Sequence, residues 1–98
     1  MHVISPKKLR EFWSVHPDSE RPLRSWLSVV EARRYASPHE VRQDFRSADF
    51  LGAWRTVFDI GGNKYRLVVD VRYDLGRIYV RHVLTHAEYD LRTASGTL

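Results

Sequence analysis

Apolar residues in the first third of the chain recur at helical spacing. Leu9, Phe12, Trp13 and His16 fall at i, i+3, i+4 and i+7, one face of a helix that Pro17 ends. Ser5 and Pro6 ahead of it read as an N-cap and a proline in the first turn. Leu23, Trp26, Leu27 and Val30 repeat the spacing in a second helix, and Ser37, Pro38 and Glu40 form a capping-box signature for a short third. His2-Val3-Ile4 reads as a short strand before them, and Asp49 to Ala53 as loop.

From Trp54 the period changes to two. Trp54, Thr56, Phe58 and Ile60 alternate with Arg55, Val57 and Asp59, and Gly61-Gly62-Asn63 signals a hairpin. Tyr65, Leu67, Val69, Val71 and Tyr73 then alternate with Lys64, Arg66, Val68, Asp70 and Arg72. After Asp74-Leu75-Gly76 a last strand sets Ile78, Val80, His82 and Leu84 against Arg77, Tyr79, Arg81 and Val83. The predicted fold is α+β, in the order β-α-α-(α)-β-β-β: two to three N-terminal helices on one face of a small, mainly antiparallel sheet, with the first strand added to it. Residues 1–92 read as a single domain and 93–98 as a flexible C-terminal tail.

Strands alternate sides, so helices over the Tyr65–Tyr73 set leave the Lys64–Arg72 set uncovered. Registers that keep apolar residues together place Asp59 opposite Arg66, Val69 opposite Val80 and Val68 opposite Arg81. Arg66 and Arg81 then become diagonal neighbours, roughly 5–8 Å apart at Cβ. Two cations that close call for an anion between them, the outline of a phosphate site. The same charges also fit a solvated cross-strand ladder, each pair worth at most ~1 kcal/mol.

Charge gives weight to a polyanionic partner without deciding between the two. Sixteen Lys and Arg against twelve Asp and Glu leave +4, and only Lys7, Lys8 and Lys64 are lysines. Arginine suits forked contacts to phosphate and stacking on bases, so nucleic acid leads membrane as the expected partner. The chain has no cysteine, which removes disulfides and thiolate zinc sites and fits a reducing, cytoplasmic setting. No apolar run approaches the roughly 20 residues that cross a bilayer, and the charged N-terminal stretch does not read as a signal peptide.

The sequence offers no nucleophilic cysteine, Gly-x-Ser-x-Gly elbow or phosphate-binding glycine loop. His82 and His86 are four apart but on or just past a strand, a spacing that does not converge two metal ligands, so neither metal nor cofactor is expected. His82, on the apolar side of that register, reads as a core histidine. The stretch Thr85-His86-Ala87-Glu88-Tyr89-Asp90 can fold back over the edge of the basic face as an exit loop. RNA is cut without metal when its 2′-OH attacks the adjacent phosphate, which needs a base, cations on the developing charge and an acid at the departing oxygen. Imidazole titrates in the useful range, and a phenol serves as base once cations favour its phenolate. His86 and Tyr89 supply these groups, or simply pack the chain end on the sheet.

Phe58-Asp59-Ile60-Gly61-Gly62-Asn63-Lys64-Tyr65-Arg66-Leu67, followed by Thr85-His86-Ala87-Glu88-Tyr89-Asp90, resembles the HigB family of type II toxins within the RelE superfamily. Val3-Ile4-Ser5, Leu9 to Trp13, His16-Pro17-Asp18, Trp26 and Asp44-Phe45 extend the likeness along nearly the whole chain. The resemblance implies a ribosome-dependent endoribonuclease that cleaves mRNA by metal-independent 2′-OH attack and arrests growth. It implies a HigA-type antitoxin, with operator DNA met only through that complex, and mRNA and ribosomal RNA as partners. Carried over, Arg66, Arg81, His86 and Tyr89 are the expected catalytic residues, and Lys64, Arg72 and Arg77 the expected RNA-binding cations. A ParE-like topoisomerase-inhibiting toxin of the same fold and a non-catalytic RNA-binding module are the alternatives.

Overall fold

The computed structural model describes residues 1–98. Its elements run β1 (His2–Ile4), α1 (Lys7–Val15), a 3-10 turn (Pro17–Ser19), α2 (Glu20–Glu31), α3 (Pro38–Asp44), β2 (Asp49–Phe50), β3 (Arg55–Ile60), β4 (Tyr65–Arg72), β5 (Arg77–Thr85) and α4 (His86–Ser95). The five strands form one sheet in the order β1-β5-β4-β3-β2. All pairs are antiparallel except β1 with β5, where His2 to Ile4 run parallel to Arg77 to Tyr79. The α+β architecture is therefore as expected, with a mixed sheet. No helix is long and apolar enough to cross a membrane.

The main core lies where the periodicities meet. Leu9 from α1 and Leu23, Trp26 and Val30 from α2 pack on Phe58, Leu67, Val69, Val71, Ile78 and Val80 of the sheet. Each fully buried aliphatic or aromatic side chain contributes roughly 1.5–3 kcal/mol. The short third helix starts as its sequence indicates, with the Ser37 hydroxyl accepting from the Glu40 amide. Before α1 the chain turns differently: Ser5 has φ of 65° and makes no side-chain cap, so the strand-to-helix corner uses a left-handed residue instead.

Three local departures matter for the site. Asp49 and Phe50, expected in a loop, pair with Val57 and Thr56 as an edge strand. Along β5 the register shifts at Arg81, so Val69 faces Val80 but Val68 faces His82, not Arg81. This β-bulge reverses the alternation of the strand beyond it. Val83 turns to the helical side, while His82 and Leu84 join Val57 and Val68 on the other. The expectation of His82 on the main core side fails for that reason.

The third departure is α4. Thr85 to Asp90 is not a loop: Thr85 and Glu88 make a reciprocal capping box, and a helix runs from His86 to Ser95 before Gly96 ends it in a left-handed conformation. Thr93 to Ser95, assigned to the tail by sequence, continue this helix. Tyr89 and Leu98 pack on the small second core of Val57, Val68 and Leu84. The face of the sheet expected to be wholly open is thus covered at one end.

Candidate active site

The covered end gathers part of the predicted set. Arg66 lies opposite Leu84 on β5 and opposite Asp59 on β3. Its guanidinium sits 3.2 Å from the Asp59 carboxylate, donates to the Asn63 side chain at 2.7 Å and to the backbone oxygens of Asn63 and Tyr65, and lies over the Tyr89 ring at 5.6 Å. Its side chain is 11% exposed. Such a network fixes the plane of the fork, and an arginine with fixed geometry is a better oxyanion contact than a mobile one.

His86 begins α4 directly after Thr85, which pairs with Tyr65, and its amide donates to the Lys64 carbonyl at 3.0 Å. That bond ties the helix start to the β3–β4 hairpin. The His86 Nδ1 is 3.5 Å from Asp90 one helical turn on. Arg66 and Tyr89 are thus in contact, and His86 begins the helix that carries Tyr89.

Lys64 and Arg81 do not complete this group. The Lys64 ammonium pairs with Asp18 at 3.0 Å, and Asp18 also accepts from the Tyr65 hydroxyl at 2.5 Å, on the side of the sheet that carries the helices. The Tyr65 hydrogen bond, then Lys64, hold the Asp18 carboxyl below the usual carboxylate range. Arg81, displaced by the bulge, meets Asp70 at 2.7 Å, whose second oxygen binds Arg55 at 2.6 Å. Burial opposes the charge of Asp70, but the hydrogen bonds and charge of Arg55 and then of Arg81 prevail and lower its pKa. Arg66 and Arg81 end up about three residue steps apart along the strands, near 10 Å, instead of side by side. At that separation the two guanidinium groups are not the paired cations that the sequence register implied.

The open face accordingly carries two groups. At one end stand Arg66, His86 and Tyr89. At the other, Arg72 pairs with Arg77 across the second hairpin, beside Arg81, Asp70, Tyr79 and Trp54. A third feature escaped the sequence reading. The free edge of β5 beyond β1 opens into a cleft of about 440 Å³ between α1 and α4, lined by Lys8, His16, Arg81, His82, Glu88 and Arg92 among others. Burial, then the charges of Arg92, Lys8, Arg55 and Arg81, hold the His82 imidazole below its ordinary pKa.

A five-stranded mixed sheet backed by N-terminal helices, with a capped terminal helix, is consistent with a small RelE-like α+β fold. Residues 19–92 match the model of the HigB toxin family, described as the RelE-like toxic component of a toxin–antitoxin system. The chain is 31% identical over 96 residues to the mRNA interferase HigB of Escherichia coli O6:H1 (strain CFT073), covering 95% of this chain and 92% of that protein. It is 31% identical over 97 residues to the mRNA interferase toxin HigB of Escherichia coli K12, and equally to the mRNA interferase HigB of Shigella flexneri, at 96% and 92% coverage in both cases. The chain belongs to the HigB toxin family.

Proposed function

We propose that this toxin is an endoribonuclease that cuts mRNA on the ribosome through attack of the substrate's own 2′-OH, leaving a 2′,3′-cyclic phosphate and a 5′-hydroxyl. The observation that carries the reading is the Arg66–Tyr89–His86 group at the junction of the β3–β4 hairpin and α4. The reaction needs a fixed cation at the pentacovalent phosphate and a proton-exchanging group on either side of it. Arg66 supplies the first. His86, oriented by Asp90, and Tyr89 supply the second, or Tyr89 stacks on a base beside the cut. Asp59, Asn63 and Tyr65 already occupy most of the guanidinium's N–H groups, so the scissile phosphate reaches the fork by displacing the Asn63 contacts or as the Tyr89 ring yields.

Arg72 and Arg77 take the backbone contacts that position a strand without reading its sequence; Lys64, held to Asp18 on the helical side, is not grouped with them as the sequence implied. Arg81, assigned by sequence to the catalytic group, joins them, since its only anionic neighbour is Asp70 at the far end of the face. The natural partners in this reading are a HigA-type antitoxin, mRNA and ribosomal RNA, in the cytoplasm, with operator DNA bound only through the antitoxin complex. Translation of a defined message by purified ribosomes, with and without the protein, tests it by mapping 5′ ends. New ends within the message, absent with His86→Ala, are the expected result. Uncut message beside growth arrest would transfer the protein to a topoisomerase-directed class.

A further inference from the structure

The end of the sheet remote from α4 has a chemistry of its own. Trp54 is the one aromatic among the chain's exposed large apolar side chains, at 43% exposure. The Arg72 guanidinium lies 4.4 Å from its ring centroid. Two strand spacings away, about 10 Å across the sheet, stands Tyr79, half-buried, its hydroxyl 3.5 Å from Arg77. Between them a depression of about 370 Å³ is lined by Trp54, Asp70, Arg72, Tyr79 and Arg81. Arg55, Arg72, Arg77 and Arg81 oppose Asp70 and Asp74 here, so the patch keeps positive charge after its internal pairs are made.

An exposed tryptophan does nothing for the main core, which is closed by Trp26 and Phe58. Aromatic rings set at the surface among arginines are what a single strand of nucleic acid requires: rings for the bases, cations for the phosphates. A duplex has its bases already stacked and offers these rings nothing. We propose that Trp54 and Tyr79, with Arg72, Arg77 and Arg81, form a base-stacking platform for single-stranded RNA. It holds the strand six residues along β4 from Arg66, about 20 Å from the proposed cut. The proposal rests on the RNA-cleaving reading and assigns it a second point of grip, apart from the reacting group.

The probe is a roughly 12-nucleotide unstructured RNA, 2′-O-methylated so that it cannot be cut, a length within the span such surfaces cover. Binding to the full chain is followed by anisotropy of the labelled RNA and by quenching of tryptophan fluorescence. Trp54→Ala should weaken binding about ten-fold and remove the quenching, with Trp54→Phe staying within about three-fold of the parent. Tyr79→Ala should weaken it to a similar degree. Thermal midpoints of these variants should match the parent, because both side chains reach the surface. Unchanged RNA affinity in Trp54→Ala and Tyr79→Ala, with ribosomal cleavage intact, overturns the platform and leaves the cleavage reading standing. Loss of antitoxin binding with full RNA affinity also overturns it, making the face a protein contact. A parent that neither binds the probe nor cuts message removes both readings.

Discussion

Arg66 has two tasks in this structure, and substituting it should separate them. Replacement by methionine keeps the apolar stem but deletes three hydrogen bonds to Asn63 and Tyr65 and leaves Asp59 without its cation. A net hydrogen bond from a charged group is worth about 1.5–3 kcal/mol at best, and less where solvent can substitute; an orphaned, mostly buried charge adds a comparable cost. The sum expected for Arg66→Met is roughly 2–4 kcal/mol, a fall of roughly 10–30 °C in the thermal midpoint of a domain this size. Arg66→Lys retains a cation near Asp59 but not the planar fork, and should cost about half as much. Cleavage should nevertheless fall about 100-fold or more in both, because lysine does not present two parallel N–H groups to a phosphate. Mapping of 5′ ends on ribosomes, at a temperature where circular dichroism shows each variant folded, gives the activity. Chemical denaturation of Asp59→Asn, Arg66→Met and the double variant gives the pair coupling, expected near 1–2 kcal/mol. Cleavage by Arg66→Lys within two-fold of the parent would refute the proposed role of the fork, and strict additivity in the cycle would refute the ion pair.

Three further outcomes follow from the geometry. Thr85→Ala removes the N-cap of α4 and should lower stability by about 1 kcal/mol, seen as faster amide exchange along His86–Ser95. His82, with its pKa depressed by burial and by Arg92, Lys8, Arg55 and Arg81, takes up its proton less readily folded than unfolded. Stability should therefore fall as pH drops below about 6.5, and His82→Gln should flatten the dependence of the denaturation midpoint between pH 7 and 5; an unchanged profile contradicts the assignment. Arg77→Gln should weaken RNA binding and reduce the log–log salt slope by about 1, measured with the same uncleavable RNA.

Much of the fold is legible in the alternation of Arg55 to Tyr73 and the glycine turns, because a half-buried sheet imposes a period that few substitutions disguise. Asp59 opposite Arg66 and Val69 opposite Val80 follow from it and hold in the structure. The bulge at Arg81 does not follow, since one inserted residue leaves no mark in a strand whose next positions, His82, Val83 and Leu84, suit either face. That single residue is why Arg66 and Arg81 part company. The helix α4 was encoded openly: Thr85 and Glu88 have capping-box spacing, but its only apolar anchors over the sheet, Tyr89 and the distant Leu98, make too sparse a stripe to be read as helical. The paired Asp49 and Phe50 are too short a segment to show any period.

The position of β5 between β1 and β4 bears on how the protein is made. The first strand of the chain rests on Arg77 to Tyr79, so β1 and the contact of α1 with β5 must wait until most of the sequence has been synthesised. The hairpins β3–β4 and β4–β5, whose partners are adjacent in sequence, provide the early nucleus, and closing the long loop to the N-terminus comes last. A polypeptide ending before Arg77 would lack β5, and with it the seat of β1 and the strand from which α4 extends. Such fragments, unable to close the sheet, should be open to proteolysis.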